Sequence, residues 1–253
     1  MLLAPKLKPC VQLENDPAHK KILLQEFKDD STRKEVNDWI REQGLEQGIV
    51  DDEIEFTYEN YSMHDALQMI LPKNIREQDR PSGFEVIGDI AHMNLHESLL
   101  DYRFQIGQVV LDKNKNLRTV VRKVGQIESE FRFYDLECIA GEKDNYETIQ
   151  VEDKVRFKVD ISKVYWCSKL ATERTRMINT FLKDGEVLCD MFCGIGPLAV
   201  KSAVMRKGLR VVCNDLNPEG IKYCKENVKL NKVDKRVLPY NMDAREFVRF
   251  VVA

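Results

Sequence analysis

No Cys-x-x-Cys pair occurs in this chain of 253 residues, although it carries seven cysteines: Cys10, Cys138, Cys167, Cys189, Cys193, Cys213 and Cys224. An odd number at these spacings matches neither a disulfide framework nor a zinc site, so no metal is expected. The four histidines, His19, His64, His92 and His96, add no ligand spacing. Several of the cysteines sit in apolar runs, where a free thiol behaves as a small buried hydrophobe in a reducing compartment. Long apolar runs are missing too. Nothing approaches the roughly 18 residues that cross a bilayer, which excludes a spanning helix and leaves no membrane partner. The first twenty residues lack the apolar core of a secretory signal, and they hold Glu14 and Asp16 but no arginine, which disfavours a mitochondrial presequence. A cytoplasmic address is the default. No internal repeat or low-complexity tract is present, and 43% hydrophobic with 32% charged residues is ordinary globular composition.

Charge is unevenly distributed. Residues 1–83 hold 11 Lys and Arg against 17 Asp and Glu, residues 84–160 hold 11 against 15, and residues 161–253 hold 17 against 10. The last third is therefore basic, with Lys222, Lys225, Lys229 and Lys232 at helical spacing. Such a face is either a solvated surface or one that meets a polyanion.

The first eighty residues read as helices and connections. Lys34–Gln43 places Val36, Trp39 and Ile40 on one face, and His64–Leu71 does so with Leu67, Ile70 and Leu71 before Pro72. Pro81-Ser82-Gly83 is the clearest break. Strand-like runs follow at Phe84–Ile90, Ile106–Leu111, Leu117–Val124 and Phe131–Ala140, predicting a small β-rich domain with one helix; Thr148–Val151 and Val155–Val159 add two more. A helix is expected from Ala171 to Leu182. From Gly185 the order becomes strand (Val187–Cys189), turn (Asp190–Gly196), helix (Pro197–Met205), strand (Leu209–Cys213), then a helix opened by an Asn217 cap and Pro218. This βαβα series predicts a Rossmann-like α/β domain over 161–253, preceded by a small α+β domain over 84–160 and a mainly helical region over 1–83.

The turn Asp190-Met-Phe-Cys-Gly-Ile-Gly196 lies where the first parallel strand ends, the ligand edge of an open α/β sheet. A dinucleotide fingerprint needs a third glycine where this chain has Ala199, and Pro197 follows the second glycine directly, so a pyrophosphate turn is disfavoured. Asp215 ends the second strand 25 positions after Asp190, placed for two ribose hydroxyls, and Asp243 follows the strand-like Val237–Tyr240. Three acids on successive strand ends with Gly194 and Gly196 fit S-adenosylmethionine better than NAD. Taken singly, each glycine could serve only a tight turn and each acid only a helix cap.

Several segments resemble the tRNA (guanine-37) N1-methyltransferase family in its eukaryotic and archaeal form. They are Gly88-Asp-Ile-Ala-His-Met-Asn-Leu-His96, Ile106-Gly-Gln-Val-Val-Leu-Asp-Lys-Asn114, Val164-Tyr-Trp-Cys-Ser-Lys-Leu-Ala-Thr-Glu-Arg174, Asp190–Pro197, Asn214-Asp-Leu-Asn-Pro-Glu219, and Asn227–Val233 with Pro239-Tyr-Asn-Met-Asp-Ala-Arg245. The resemblance implies a class I methyltransferase domain, S-adenosylmethionine as cofactor, and as partner a tRNA with guanine at position 37. It implies a monomer, in the cytoplasm or alternatively the nucleus or mitochondrial matrix.

The resemblance also assigns residues. It places the base that removes the guanine N1 proton on Glu173, and cofactor contacts on Tyr165, Asp190, Phe192, Gly194, Gly196, Asp215, Leu216, Asp243 and Ala244. Without it, Glu173 reads as an exposed helix residue paired with a neighbouring arginine, and Tyr165 as a core tyrosine. Where the family commonly has an arginine to stabilise the charge on guanine O6, this chain has His96, with Arg103 as a substitute. The family continues after Asp243 into an Asn-Pro segment and further strands, whereas this sequence stops at Phe250-Val-Val-Ala253, so an incomplete domain is expected. Two alternatives remain open: the related wybutosine-pathway transfer of the cofactor's aminocarboxypropyl group, and a catalytically inactive tRNA-binding fragment.

Overall fold

The computed structural model describes residues 10–13, 16–22, 30–44, 57–81, 83–125 and 135–253. The chain divides into two compact units, Met1–Ile70 and Leu71–Ala253. In the first, β1 (Cys10–Leu13) pairs antiparallel with β2 (Asp16–Ile22), followed by α1 (Asp30–Glu42) and α2 (Met63–Ile70). The hairpin stands where sequence patterning suggested only helices and connections, because four residues of alternation are too few for a period to register. On α1 Ile40 is buried, but Trp39 is 56% exposed instead of sharing its face. α2 opens with a capping box: the Ser62 hydroxyl accepts from the Asp65 amide and the Asp65 carboxylate accepts from the Ser62 amide, both at 3.2 Å.

The second unit begins with a four-stranded sheet in the order β3 (Glu85–Ile87), β4 (Ile90–Met93), β5 (Thr119–Val124), β6 (Asp135–Gly141). The run Phe84–Ile90 is thus two strands turning at Gly88-Asp89, while most of the chain between β5 and β6, like Ser82, lies outside the described residues. The expected strand Ile106–Leu111 is instead part of a helix, α3 (Arg103–Lys113). Two facts explain it. Ile106, Val109 and Val110 are all buried at i, i+3 and i+4, a helical spacing that the β-branched Val-Val pair disguises. Moreover β4 and β5 are parallel, and a parallel pair needs a crossover, which α3 supplies. Gly107 lets this helix lie directly on the sheet, since a Cβ there would stand 2.7 Å from the Ile139 carbonyl oxygen.

Next comes the hairpin β7 (Glu147–Glu152) and β8 (Val155–Asp160), then α4 (Ala171–Phe181). The parallel part runs β9 (Val187–Asp190), α5 (Pro197–Met205), β10 (Arg210–Asn214), α6 (Pro218–Leu230), β11 (Val237–Tyr240) and α7 (Ala244–Val252), with β10 central in a sheet ordered β11-β10-β9. Asn217 caps α6 as the sequence indicates, accepting from the Glu219 amide at 3.0 Å. One buried cluster joins Ile87, Ile90 and Val121 with Phe157, Val159, Trp166, Ile195, Ala199 and Val211, so the portions on either side of residue 160 share a core.

The outer edge of β8 is covered by side chains. Asn227 Oδ1 accepts from the Lys158 amide at 2.7 Å while its Nδ2 donates to the Lys158 carbonyl at 3.0 Å. Asn231, the residue that closes the C-terminus of α6, treats Arg156 the same way at 3.0 and 2.7 Å. Two amides four residues apart, one in the last turn of the helix and one at its C-cap, thereby match two residues at i and i+2 on a strand. Among the described residues no helix is long and apolar enough to cross a membrane.

Candidate functional site

The C-terminal ends of β9, β10 and β11 bring the three acids to one edge of the parallel sheet, where open α/β sheets take their ligands. Gly194 and Gly196 both have positive φ, +53° and +83°. Gly196 has no room for a side chain, because a Cβ would meet Cys224 Sγ at 2.7 Å; a Cβ on Gly194 would meet nothing within 4 Å. The turn is thus packed below Gly196 and open above Gly194. The Gly194 amide donates to Asp215 Oδ2 at 2.7 Å, and Asp215 Oδ1 accepts from the Asn217 amide at 2.9 Å. Asp215 therefore ties the turn to the start of α6 and keeps lone pairs for a further donor. Around the turn Phe192 is 73% exposed, with Met191 and Leu216 also exposed, and these apolar side chains suit a flat aromatic ring.

The acids differ in environment. Asp190 accepts from the Phe192 amide at 3.2 Å, yet burial pushes its pKa up to about 6. Asp243 caps α7, accepting from the Arg245 amide at 2.8 Å, and the Arg245 side chain holds its pKa down at about 2. Ala244 follows as the first residue of α7. Sequence reasoning missed the asparagines that hold the edge together. Asn214, fully buried, accepts from the Met242 amide at 3.0 Å and donates to the carbonyls of Met242 and Met191, linking the loops after β9 and β11. Asn241 Nδ2 donates to the carbonyls of Asp215 and Leu216 at 2.8 and 2.9 Å. Their sequence signal was nearness to the aspartates, Asn214 next to Asp215 and Asn241 two residues before Asp243.

Glu173 lies in the first turn of α4, on its solvent side, paired with Arg176 at 2.6 and 2.7 Å; that guanidinium holds its carboxyl below the usual range. The opposite face of α4 is anchored by buried charge. Arg174 pairs with Glu152, its Nε donating at 3.2 Å, and Lys201, wholly buried in α5, donates to Thr175 Oγ1 at 2.8 Å and lies 2.7 Å from Asp153. This cluster ties the β7–β8 turn, the helix bearing Glu173 and the helix that follows the glycine turn into one unit. Arg174 read from the sequence as a neighbour of Glu173; Lys201 sits in an otherwise apolar helix, and neither signalled its partner.

The remaining assignments sit apart from the turn in the chain and have structural contacts of their own. His96 caps a 3₁₀ helix, its Nδ1 accepting from the Ser98 amide at 3.3 Å, while its Nε2 lies 3.8 Å from Asp79 Oδ1. Arg103 donates to Glu137 at 3.0 Å and to the Leu100 carbonyl at 2.7 Å, and lies over the Phe104 ring. Tyr165 is 48% exposed, not a core residue. With His92, Lys123 and Trp166 it lines a cavity of about 30 Å³, room for about one water. Buried His92 Nε2 lies 3.3 Å from Glu85, whose other oxygen accepts from the Ser168 amide ahead of α4.

Comparison with known proteins gives a consistent picture. Residues 148–253 match the family described as TRM5/TYW2 methyltransferase domain, and residues 63–144 match the TYW2 N-terminal domain. The tRNA (guanine(37)-N(1))-methyltransferase of Xenopus tropicalis is 40% identical over 255 residues, covering 100% of this chain and 50% of that protein. The chain spans about half the length of the curated relatives it matches. Among solved structures, Trm5b of Pyrococcus abyssi is 32% identical with a TM-score of 0.63, covering 84% of this chain and 70% of that one. A complex of aTrm5 and tRNALeu is 26% identical with a TM-score of 0.69, covering 97% and 69%. P. horikoshii TYW2 in complex with MeSAdo is 30% identical with a TM-score of 0.58, covering 73% and 64%.

Proposed function

The chain belongs to the TRM5/TYW2 methyltransferase family, and from that membership we propose that it transfers the methyl group of S-adenosylmethionine to N1 of the guanine 3′ of the anticodon in tRNA. The observation that carries this reading is the glycine turn with Asp190, Asp215 and Asp243 at the ends of three parallel strands. The open space above Gly194 and the exposed Phe192 and Leu216 fit the cofactor's adenosine, and relatives across the whole chain are named for this reaction.

When bound, S-adenosylmethionine supplies an electrophilic methyl group. The chain's own residues prepare the acceptor. Guanine N1 carries a proton, so its lone pair is free only after a base removes it; Glu173, ionised and solvent-facing on a helix anchored from behind, takes that role. Negative charge then builds on O6, where the His96 imidazole or Arg103 is the donor. Asp215 and Asp243 accept from the ribose and the adenine amino group, and Tyr165 lines the pocket. Exposed Lys222, Lys225, Lys229 and Lys232 along and just beyond α6 meet phosphates, which makes tRNA binding salt-dependent. Residues 1–83 and 84–160 serve tRNA recognition and residues 161–253 the transfer, in a monomer of the cytoplasm, nucleus or mitochondrial matrix.

The test is transfer of labelled methyl to unmodified tRNA with guanine at position 37 and to the same tRNA with adenine there. Transfer to the first alone supports the reading; equal labelling of both overturns the guanine assignment. The TYW2 part of the family and the match over 63–144 favour a second reading, transfer of the aminocarboxypropyl group of the same cofactor. Cofactor labelled in its carboxyl carbon separates the two. Tight tRNA binding with neither label transferred identifies a binding protein.

A further inference from the structure

Beneath the glycine turn three thiols from three elements converge. Cys193 belongs to the turn, Cys213 to β10 and Cys224 to α6; all are buried, and their Sγ atoms lie within 4.8 Å of one another. Cys213 Sγ and Cys224 Sγ are 4.0 Å apart. Three sulfurs bonded at ~2.3 Å to a trigonal ion would be ~4.0 Å apart, so the trio is already near the spacing such an ion requires. Thiolates select soft ions such as copper(I) and zinc, but zinc almost always takes four ligands. Among the described residues no imidazole or carboxylate joins this group.

We propose that Cys193, Cys213 and Cys224 form a three-coordinate site for a soft cation of the copper(I) class, packed under the cofactor turn. Binding forms three metal–sulfur bonds and involves no change of oxidation state. Any thiol that ionises on loading releases its proton to solvent, so affinity rises with pH.

The experiment is an anaerobic titration of the fully reduced chain with copper(I) buffered by a chromophoric chelator, followed by X-ray absorption of the loaded protein. One equivalent bound with three sulfur neighbours is expected. A variant with Cys10, Cys138, Cys167 and Cys189 all changed to serine should bind as tightly. Each of Cys193→Ser, Cys213→Ser and Cys224→Ser should lose more than the roughly 10–100-fold that removing an outer-shell partner costs. Fewer than three sulfurs, binding that disappears with the other four cysteines, or failure to compete with the chelator would each overturn the proposal. The absorption measurement needs only the unaltered protein, so it decides even where a core variant does not fold, and none of these readouts depends on methyl transfer.

Discussion

Glu173 and Arg174 are consecutive residues of α4 that occupy different worlds. Glu173 faces water and shares its charge with Arg176, whereas Arg174 is buried against Glu152 beside the ammonium of Lys201. An exposed pair of this kind adds little to stability, because water screens it. A buried pair costs much to assemble and more to break, since removing one partner strands the other without solvent. The difference separates two settings along one turn of helix: Glu173, bridged only to Arg176, stays in contact with water, while Arg174 beside it is held in a buried charge cluster.

The contrast is open to attack, beginning where the effect is largest. Glu173→Gln should lower methyl transfer about 10²–10⁴-fold while leaving cofactor affinity and thermal stability unchanged; matching losses in cofactor binding would erase the division. Arg174→Met should do the reverse, destabilising the fold by about 3–5 kcal/mol in urea titrations through the stranded Glu152. A stable Arg174→Met protein would show that the cluster anchors nothing.

Asp190 and Asp243 extend the comparison to the sheet. Burial raises Asp190 from its ordinary 3.8 to about 6, so between these values the folded chain holds a proton that the unfolded chain has released. Its contribution is therefore present below about pH 4 and is lost as the pH rises through 6, at most about 3 kcal/mol. Asp190→Asn should flatten that part of the stability–pH curve; an unchanged slope would place the titration elsewhere. Asp243, held near 2, should titrate below this window. The smallest effect belongs to Arg176→Ala. It should not alter stability, but by freeing Glu173 it should move the acid limb of the pH–rate profile upward, and a limb that stays put would remove Glu173 as the group being read.

Much of this was legible in the sequence. Strand, glycine turn and capped helix stand out from residue 187 onward because parallel strands are short apolar runs and Asn217-Pro218 announces a helix start. The three acids follow from those boundaries. What stayed hidden is whatever depends on a partner distant in the chain. Ile106–Leu111 looked extended because its β-branched residues outweighed a helical spacing that matters only once β4 and β5 are known to run parallel. Lys201 needed Asp153 and Thr175 to make sense of a charge inside an apolar helix. His96 read as a site residue, and its duty as a helix cap emerged only with the 3₁₀ turn.

The two asparagine amides along β8 carry a consequence of a different kind. A two-stranded hairpin offers its outer rim to any extended peptide that can zip onto it, yet here two carboxamides occupy the places such an intruder would take. Because Asn227 also donates to the Ile195 carbonyl inside the glycine turn, the same side chain that blocks the rim fastens it to the turn. Tightening or loosening of that loop is thereby felt at the hairpin without any intervening strand, so the amide protons of Arg156 and Lys158 should exchange with solvent at a rate that reports the loop's own opening.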